Sequence, residues 1–173
     1  MELWAQDESR LGLKPIARRV WSLKGQRPRS CGRTRYEWLY LYGFVRPKTG
    51  DTFGVLLPRV KTERFAEALE EFAAHADPHG TKVLVVLVDN AGWHRAKALV
   101  VPSNVVLHFL PPCTPELQPA EPLWPLVRES LANRSIGRID RLRNITRARV
   151  DYLAGHPEVV QPRVGFHWAV ALG

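Results

Sequence analysis

The chain has 173 residues, of which 45% are hydrophobic and 24% are charged, and its formal net charge is +8. This length and composition fit one globular domain that can bury a core without disulfide or metal support. The two cysteines, Cys31 and Cys113, lie far apart, which excludes a zinc ribbon built on cysteine pairs and argues against a secreted disulfide framework. The first residues do not resemble a signal peptide, and no apolar run approaches the ~18 residues of a membrane span. We therefore expect a cytoplasmic protein with no membrane segment.

The positive charge is concentrated in two stretches. Residues 14–35 contain eight basic residues and no acidic one, and residues 134–149 contain six arginines and a single acid, Asp140. Clustered arginines favour a polyanionic partner, because the guanidinium fork matches the geometry of phosphate. The alternative is a basic surface that is merely solvated. We prefer nucleic acid and assign phosphate contacts to Lys14, Arg18, Arg19, Lys24, Arg27, Arg138 and Arg141.

Three strands and a helix are predicted in the first half of the chain. Residues 2–6 alternate in polarity and form a short strand, and residues 37–45 are rich in aromatic and branched side chains. After the turn signal RPKTGD, residues 52–57 form a further strand that pairs with 37–45 as a hairpin. Residues 62–76 change to the helical period, with Thr62 as the N-cap and the stretch DPHG ending the helix.

The second half of the chain alternates strands and helices. Residues 82–88, KVLVVLV, form a continuous apolar strand of the kind that is buried on both faces of a sheet. The pattern then predicts a short helix over 94–99, a strand over 105–110, and helices over 123–134 and 138–153. This order predicts an α/β fold, in which a mixed sheet with three antiparallel strands followed by parallel strands is flanked by helices.

Three carboxylates lie at the ends of separate predicted elements. Asp89 directly follows the strand 82–88, Asp7 directly follows the strand 2–6, and Glu121 lies near a helix start, which favours its ionised form. In sheets of this type the ligand crevice lies outside the carboxyl ends of the strands, so the three side chains can reach one site. Carboxylate oxygens suit Mg²⁺ or Mn²⁺, and two such ions can clamp the attacking and leaving oxygens of a phosphodiester.

Each of these carboxylates also has a simpler interpretation. Asp89 with Asn90 can form a turn or a cap, and Asp7 with Glu8 can be solvated charge near the terminus. Glu121 can be an ordinary residue of a first helical turn. These alternatives stay open at the level of single residues, and only convergence of the three on one site favours a catalytic role.

Two further groups of residues are given no role in the chemistry. His75 and His79 have a spacing that zinc can use, but no cysteine pair accompanies them, and we do not favour a zinc site. Trp93 and Trp124 are interpreted most simply as packing residues of the core.

Three sequence blocks resemble a known family. WAQDESRLGLKP, VLVDNAGWH and LPPCTPELQPAEPLWPLVRESLANR are similar to blocks in the catalytic domain of mariner-superfamily DDE transposases, in the branch found in bacterial insertion sequences. The order DNAGWH followed by LPPxxPELxPAExLW is specific, because two unusual blocks occur at about the right separation. The resemblance covers nearly the whole chain.

The resemblance implies a ribonuclease-H-like fold and a carboxylate triad that binds two Mg²⁺ or Mn²⁺ ions. The residues at the triad positions are Asp7, Asp89 and Glu121. Auxiliary residues that lie in the same blocks and line the site are Glu8, Asn90 and His94. The implied activity is cut-and-paste DNA transposition, by phosphodiester hydrolysis at transposon ends and strand transfer to target DNA. The alternatives are a ribonuclease-H-like nuclease without strand transfer, and an inactive truncated copy that only binds DNA.

The chain departs from the family pattern in three respects. Thirty-one residues separate Asp89 from Glu121, slightly fewer than in well-known members, and Gln118 stands where many members carry asparagine. Family transposases carry helix-turn-helix DNA-binding domains ahead of the catalytic domain, whereas this sequence begins six residues before Asp7. We therefore expect residues 1–173 to be a single catalytic domain, with the N-terminal DNA-binding half missing or supplied by a separate partner. A homodimer is left open.

Overall fold

The structure, a computed structural model, describes residues 1–27, 29 and 36–172. In these ranges the strands β1 to β5, in chain order, are Glu2–Gly12, Trp38–Val45, Thr52–Leu57, Leu84–Val88 and Val105–Phe109. They form one five-stranded sheet in the spatial order β3-β2-β1-β4-β5. β1 pairs antiparallel with β2 and parallel with β4, β2 pairs antiparallel with β3, and β4 pairs parallel with β5. The predicted mixed sheet is confirmed, with three antiparallel strands on one side and parallel pairing on the other.

The central strand β1 is longer than predicted. It pairs with β4 over Glu2–Ala5 and continues along β2 over Ala5–Gly12, so that its backbone is hydrogen-bonded to a neighbour along its whole length. The prediction that this strand ends at residue 6 is therefore wrong, and Asp7 lies in the middle of the strand rather than after it. The long pairing with β2 keeps the polar residues after Gln6 in extended conformation.

One face of the sheet is covered by a single amphipathic helix, α1 (Thr62–Ala76). Its buried face packs aromatic rings on the sheet: Phe72 stacks on Phe44 with ring centroids 4.2 Å apart and an interplanar angle of 5°. Trp4 from β1 meets the same ring edge-on at 5.1 Å. The helix is confirmed, but the prediction of Thr62 as N-cap is wrong, because Lys61 takes the extended cap conformation and Thr62 is the first helical residue.

The chain between β4 and β5 contains turns where a short helix over 94–99 was predicted. The carboxylate of Asp89 accepts a hydrogen bond from the backbone N–H of Ala91, and the backbone N–H of His94 donates to the carbonyl of Ala91. Side-chain oxygens that bond to nearby backbone N–H groups favour turns over helices. The prediction of a helix there is therefore wrong, and the strand β4 leads directly into a fixed loop.

Helices on the opposite face form the second layer. They are α2 (Leu123–Glu129), α3 (Ile139–Ala154), α4 (Pro157–Val164) and α5 (His167–Leu172). The predicted helix 138–153 is confirmed, whereas the predicted helix 123–134 ends at Glu129 because Asn133 has a positive φ of 55° and its N–H donates to the Ile16 carbonyl. The last two helices were not predicted. None of the helices in the described ranges combines the length and the apolar character needed to cross a membrane.

Gly43 of β2 is the position where the second layer comes closest to the sheet. Gly43 is the register partner of Asp7, and a Cβ built on it would lie 2.7 Å from the Trp124 ring and 3.2 Å from Leu123. The absence of a side chain thus allows the indole of Trp124 to lie flat against β2. Helix α2 and the residues just before it take their position from this contact.

Gly43→Ala should displace Trp124 and lower the free energy of unfolding by about 1–3 kcal/mol, the usual cost of overpacking a core. Urea denaturation measures this change. The matched control is Gly92→Ala, because a Cβ at Gly92 meets nothing within 4 Å. Equal stability of the two variants would contradict this account of the Gly43 contact.

Candidate active site

The three carboxylates singled out from the sequence line one cleft. Asp7, Asp89 and Glu121 border a space of about 390 Å³, and residues 110–115 and Gln118 also line it. Asp7 comes from the middle of β1, Asp89 from the residue after β4, and Glu121 from the turn before α2. Sheet pairing places β1 beside β4, and this brings Asp7 and Asp89 together where the paired part of β4 ends.

Asp7 is largely buried, and one of its oxygens is fixed by the second layer. The indole N–H of Trp124 donates to Asp7 Oδ2 at 2.8 Å. Burial raises the pKa of Asp7 to about 7; the hydrogen bonds from Trp124 and from the Glu8 backbone oppose this shift, and the negative charges of Glu121 and Glu8 add to it. Near neutral pH this carboxyl is therefore poised between its protonated and ionised forms, and a nearby cation would favour the ionised form.

Asp89, in contrast to Asp7, is held in its ionised form. Its Oδ1 lies 2.8 Å from His94 Nδ1 and accepts the backbone N–H of Ala91 at 2.9 Å. The hydrogen bond with His94 holds the pKa of this carboxyl below its usual range, although partial burial works against the shift. Both of these contacts engage Oδ1, and the side chain is 54% exposed. Asp89 thus presents an ionised carboxylate of fixed orientation to the cleft.

His94 links Asp89 to Glu8. The imidazole is 2% exposed, packs on Phe65 at 4.2 Å between ring centroids, and places Nε2 3.0 Å from Glu8 Oε1. Burial alone would lower the pKa of His94, but the hydrogen bonds with Asp89 and Glu8 outweigh it and raise the pKa to about 9. Both ring nitrogens then carry protons at neutral pH, so the indole N–H of Trp93 donates to Glu8, 3.3 Å away, rather than to the ring.

The loop that carries Glu121 is tied to the sheet by two amides. Gln118 Nε2 donates to the Gln6 carbonyl at 2.9 Å, and Asn90 Nδ2 donates to the Leu110 carbonyl. The first contact joins the loop to β1, and the second joins the ends of β4 and β5. Glu121 itself is exposed, and its backbone carbonyl accepts the N–H of Trp124.

The side chains of the cleft fit a divalent cation by their chemistry. All three side chains offer oxygen ligands, and burial together with the negative charges of Glu121 and Glu8 raises the pKa of Asp7, a shift that a bound cation would oppose. Among the described residues, no three histidine, cysteine, aspartate or glutamate side chains stand close enough to enclose an ion by themselves. Mg²⁺ does not need such a cage, because it is usually bound by one or two carboxylates with water and substrate phosphate completing the shell. The cleft can thus hold such ions without an all-protein cage.

The basic residues lie outside this cleft. Lys14, Arg18, Arg19, Lys24 and Arg27 are exposed in the segment after β1, and Arg138 and Arg141 are exposed at the start of α3. The chain before the second stretch contacts the first stretch. The Arg18 backbone N–H donates to Asn133 Oδ1 at 2.9 Å, and Ile16 forms a β-bridge to Ala132. The first basic stretch is therefore fixed to the chain just before the second one. The other basic residues of the first stretch that fall outside the described ranges are Arg33 and Arg35, and Cys31 also falls there.

Two residues interpreted from the sequence as core packing have polar roles in the site. Trp124 does pack in the core, but its N–H also binds Asp7, and Trp93 binds Glu8. A third residue, Arg128, was not singled out, and its guanidinium donates to Ser9 Oγ at 2.9 Å. The available signal was the spacing Trp-x-x-x-Arg, which puts both side chains on one face of a helix.

The comparisons with known proteins define the class of this protein. A family model described as DDE superfamily endonuclease matches residues 2–143. The chain belongs to this family. A relative from Sinorhizobium fredii (strain NBRC 101917 / NGR234), the uncharacterized protein y4pE/y4sA, is 42% identical over 98 residues, which cover 56% of this chain and 71% of that protein.

Solved structures with the same fold include those of the Mos1 mariner transposase. A pre-cleavage Mos1 transpososome matches 99% of this chain with a TM-score of 0.68 at 15% identity, and the isolated Mos1 catalytic domain matches 99% with a TM-score of 0.62 at 14% identity. A Mos1 paired-end complex with Mn matches 96% with a TM-score of 0.59 at 17% identity. The predicted ribonuclease-H-like fold is thereby confirmed. The chain spans 81% of the Mos1 catalytic domain and 55% of the chain in the transpososome.

The link between His94 and its two carboxylates should make stability depend on pH. The pKa of His94 in the folded chain is about 9, above its ordinary value of 6.5, so its stabilisation is complete below the lower value and is lost as pH rises through the higher one. Between roughly pH 7 and 9.5 the parent should lose on the order of 2 kcal/mol more unfolding free energy than His94→Gln. Urea titrations across this range measure the difference.

The control for this comparison is His79→Gln, because His79 is exposed in the turn after α1. Its stability profile should follow that of the parent. Parallel profiles for the parent and His94→Gln would contradict the bridging role of the imidazole.

Proposed function

We propose that this chain is the catalytic domain of a cut-and-paste DNA transposase. The observation that supports this most strongly is the convergence of Asp7, Asp89 and Glu121 on one cleft in a member of the DDE superfamily endonuclease family. The proposed reaction is hydrolysis of a phosphodiester at a transposon end, after which the freed 3′-hydroxyl attacks target DNA at the same cleft. The similarity of the fold to that of the Mos1 catalytic domain is consistent with this activity.

The three carboxylates are proposed as the metal ligands. Bound Mg²⁺ or Mn²⁺, as two ions, would supply a water of lowered pKa and positive charge against the phosphodiester. The chain's own residues prepare the ligands, since Trp124 orients Asp7 and His94 orients Asp89, each through one carboxylate oxygen. Ligands that are fixed in this way do not have to be ordered when substrate binds.

The basic residues are proposed to hold the DNA backbone. The segment after β1 and the start of α3 present exposed arginines, and contacts of this kind recognise phosphate without regard to sequence. We propose that residues 1–173 act as one catalytic domain and that recognition of transposon ends lies in a segment or partner that carries a helix-turn-helix. Assembly as a homodimer belongs to the same proposal.

Two other functions are separated from this one by their products. A nuclease of the same family would use the same cleft for hydrolysis alone, and it would give no strand-transfer product from pre-cut ends. A copy that only binds DNA would neither nick nor join. The intact set of three carboxylates in the cleft favours chemistry over mere binding.

Glu121→Gln should abolish Mn²⁺-dependent nicking of supercoiled DNA, because the amide removes one proposed ligand. DNA binding should change less than about twofold, since no phosphate contact is lost. Agarose gels of plasmid relaxation measure the nicking, and fluorescence anisotropy measures the binding.

Glu116→Gln is the matched control for this experiment. Glu116 lies in the same loop, within the 3₁₀ turn Pro115–Leu117, but it does not line the cleft. It should nick as fast as the parent. If Glu116→Gln is inactive and Glu121→Gln is active, the third ligand is Glu116 and the proposed set is wrong.

DNA affinity should fall steeply with salt, with a log–log slope of about −0.9 for each phosphate neutralised. Replacing Arg19 and Arg141 together by glutamine should make that slope shallower by about 2, because each variant residue removes one phosphate contact. Arg163→Gln is the control, because Arg163 is an exposed arginine of α4 outside both basic stretches. A slope unchanged by the double substitution would remove these residues from the DNA surface.

A further inference from the structure

A second groove opens where β1 ends and β2 begins. It is separate from the cleft bordered by Asp7, Asp89 and Glu121, which we call the acidic cleft. The second groove has a volume of about 460 Å³, and we call it the strand-end groove. Cationic, aromatic and acidic side chains line it: Arg10, Lys14, Arg128, Tyr36, Trp38 and Glu37. Its three cations outnumber its acid, so an anionic ligand is favoured. The metal chemistry described above does not use this groove.

The groove presents aromatic rings to solvent. Trp38, the first residue of β2, is 44% exposed, and Tyr36, two residues before it, is 78% exposed. The Arg10 guanidinium lies 5.3 Å from the centroid of the Trp38 ring. Arg10 lies over part of the Trp38 ring, and the part that stays exposed suits a flat ring that carries negative charge nearby, which is the chemistry of an unpaired nucleotide.

Arg128 connects the strand-end groove to the acidic cleft. Trp124 and Arg128 are one turn apart on α2, and they donate to Asp7 and Ser9, which are two residues apart on β1. Alternate residues of a strand point to the same face, so Asp7 and Ser9 share a side of the sheet. The step between them is about 7 Å, which is close to the spacing of neighbouring phosphates along one DNA strand.

Arg10 and Trp38, the register partner of Gly12, belong to the opposite face of these strands, and the groove at the strand end is lined by residues of both faces. A DNA strand whose phosphate lies at Asp7 can therefore pass Arg128 and reach the Trp38 ring around the end of the β1–β2 pair.

We propose that the strand-end groove binds an unpaired nucleotide of the DNA strand whose phosphodiester lies in the acidic cleft. The base stacks on Trp38, and the backbone phosphates lie against Arg128 and Lys14. The identity of the ligand as the strand being cut rests on the function proposed above. A base inside a duplex is already stacked on its neighbours, so the exposed ring favours unpaired over paired DNA.

Fluorescence anisotropy of a labelled oligothymidine, with the full chain in EDTA, tests this proposal. Trp38→Ala should weaken binding of the oligothymidine about fivefold or more, the usual effect of removing one base-stacking ring. It should change the affinity for a duplex of equal length less than about twofold, because phosphate contacts supply that affinity. Trp38→Phe should restore most of the loss, since it keeps a flat ring.

Tyr152→Ala is the matched control. Tyr152 is 43% exposed and has the Arg149 guanidinium 4.9 Å from its ring centroid, the same type of pair, on α3 and outside the groove. It should bind oligothymidine like the parent. Thermal melting by circular dichroism checks that each variant is folded. Equal losses for single-stranded and duplex DNA in Trp38→Ala, no loss in that variant, or an equal loss in Tyr152→Ala would each overturn the proposal.

The binding assay contains no metal, so its result is independent of the nicking assay. If Trp38 determines oligothymidine binding but the parent chain does not nick DNA, the proposed function fails and the groove remains a site for unpaired DNA. If the parent nicks DNA but oligothymidine affinity does not depend on Trp38, the groove proposal alone is overturned.

Discussion

The hydrogen bond from the Trp124 indole to Asp7 is the interaction on which the rest of the site depends. It joins the central strand to the helix that follows Glu121, so that two of the three carboxylates are positioned by one contact. The bond exists because Gly43, opposite Asp7 in β2, leaves room for the indole ring. The position of one catalytic candidate is thus determined by a residue on a neighbouring strand that has no side chain.

The cleft keeps two of its carboxyl groups in different protonation states. Burial and nearby negative charge raise the pKa of Asp7 to about 7, whereas the hydrogen bond with His94 lowers the pKa of Asp89. The second ring nitrogen of His94 contacts the carboxylate of Glu8, which lies on β1, the strand that carries Asp7. A cation that enters this cleft meets one carboxylate that is already ionised and another that gives up its proton as the cation binds, so its affinity is coupled to proton release.

The sequence predicts the parts of this site that depend on local pattern. The apolar run before Asp89 identifies a buried strand, and Glu121 lies before its helix as the prolines around it require. The alternating segment 2–6 predicts a short strand that ends before Asp7. The strand continues because Trp124, Trp93 and Arg128 supply partners to its polar residues from distant parts of the chain. Such partners cannot be read from local sequence, and neither can a groove formed where a strand ends against a helix.

The central claim is that Asp7, Asp89 and Glu121 form one metal site for phosphodiester chemistry. The most direct test is anomalous diffraction from crystals grown with Mn²⁺. The account predicts anomalous density in the cleft bordered by Asp7, Asp89 and Glu121, with at least one of the Asp7 and Asp89 oxygens in the coordination shell. Ordered Mn²⁺ only at other carboxylates, such as Glu2 or Asp51, with an empty cleft at the same concentration, would contradict it.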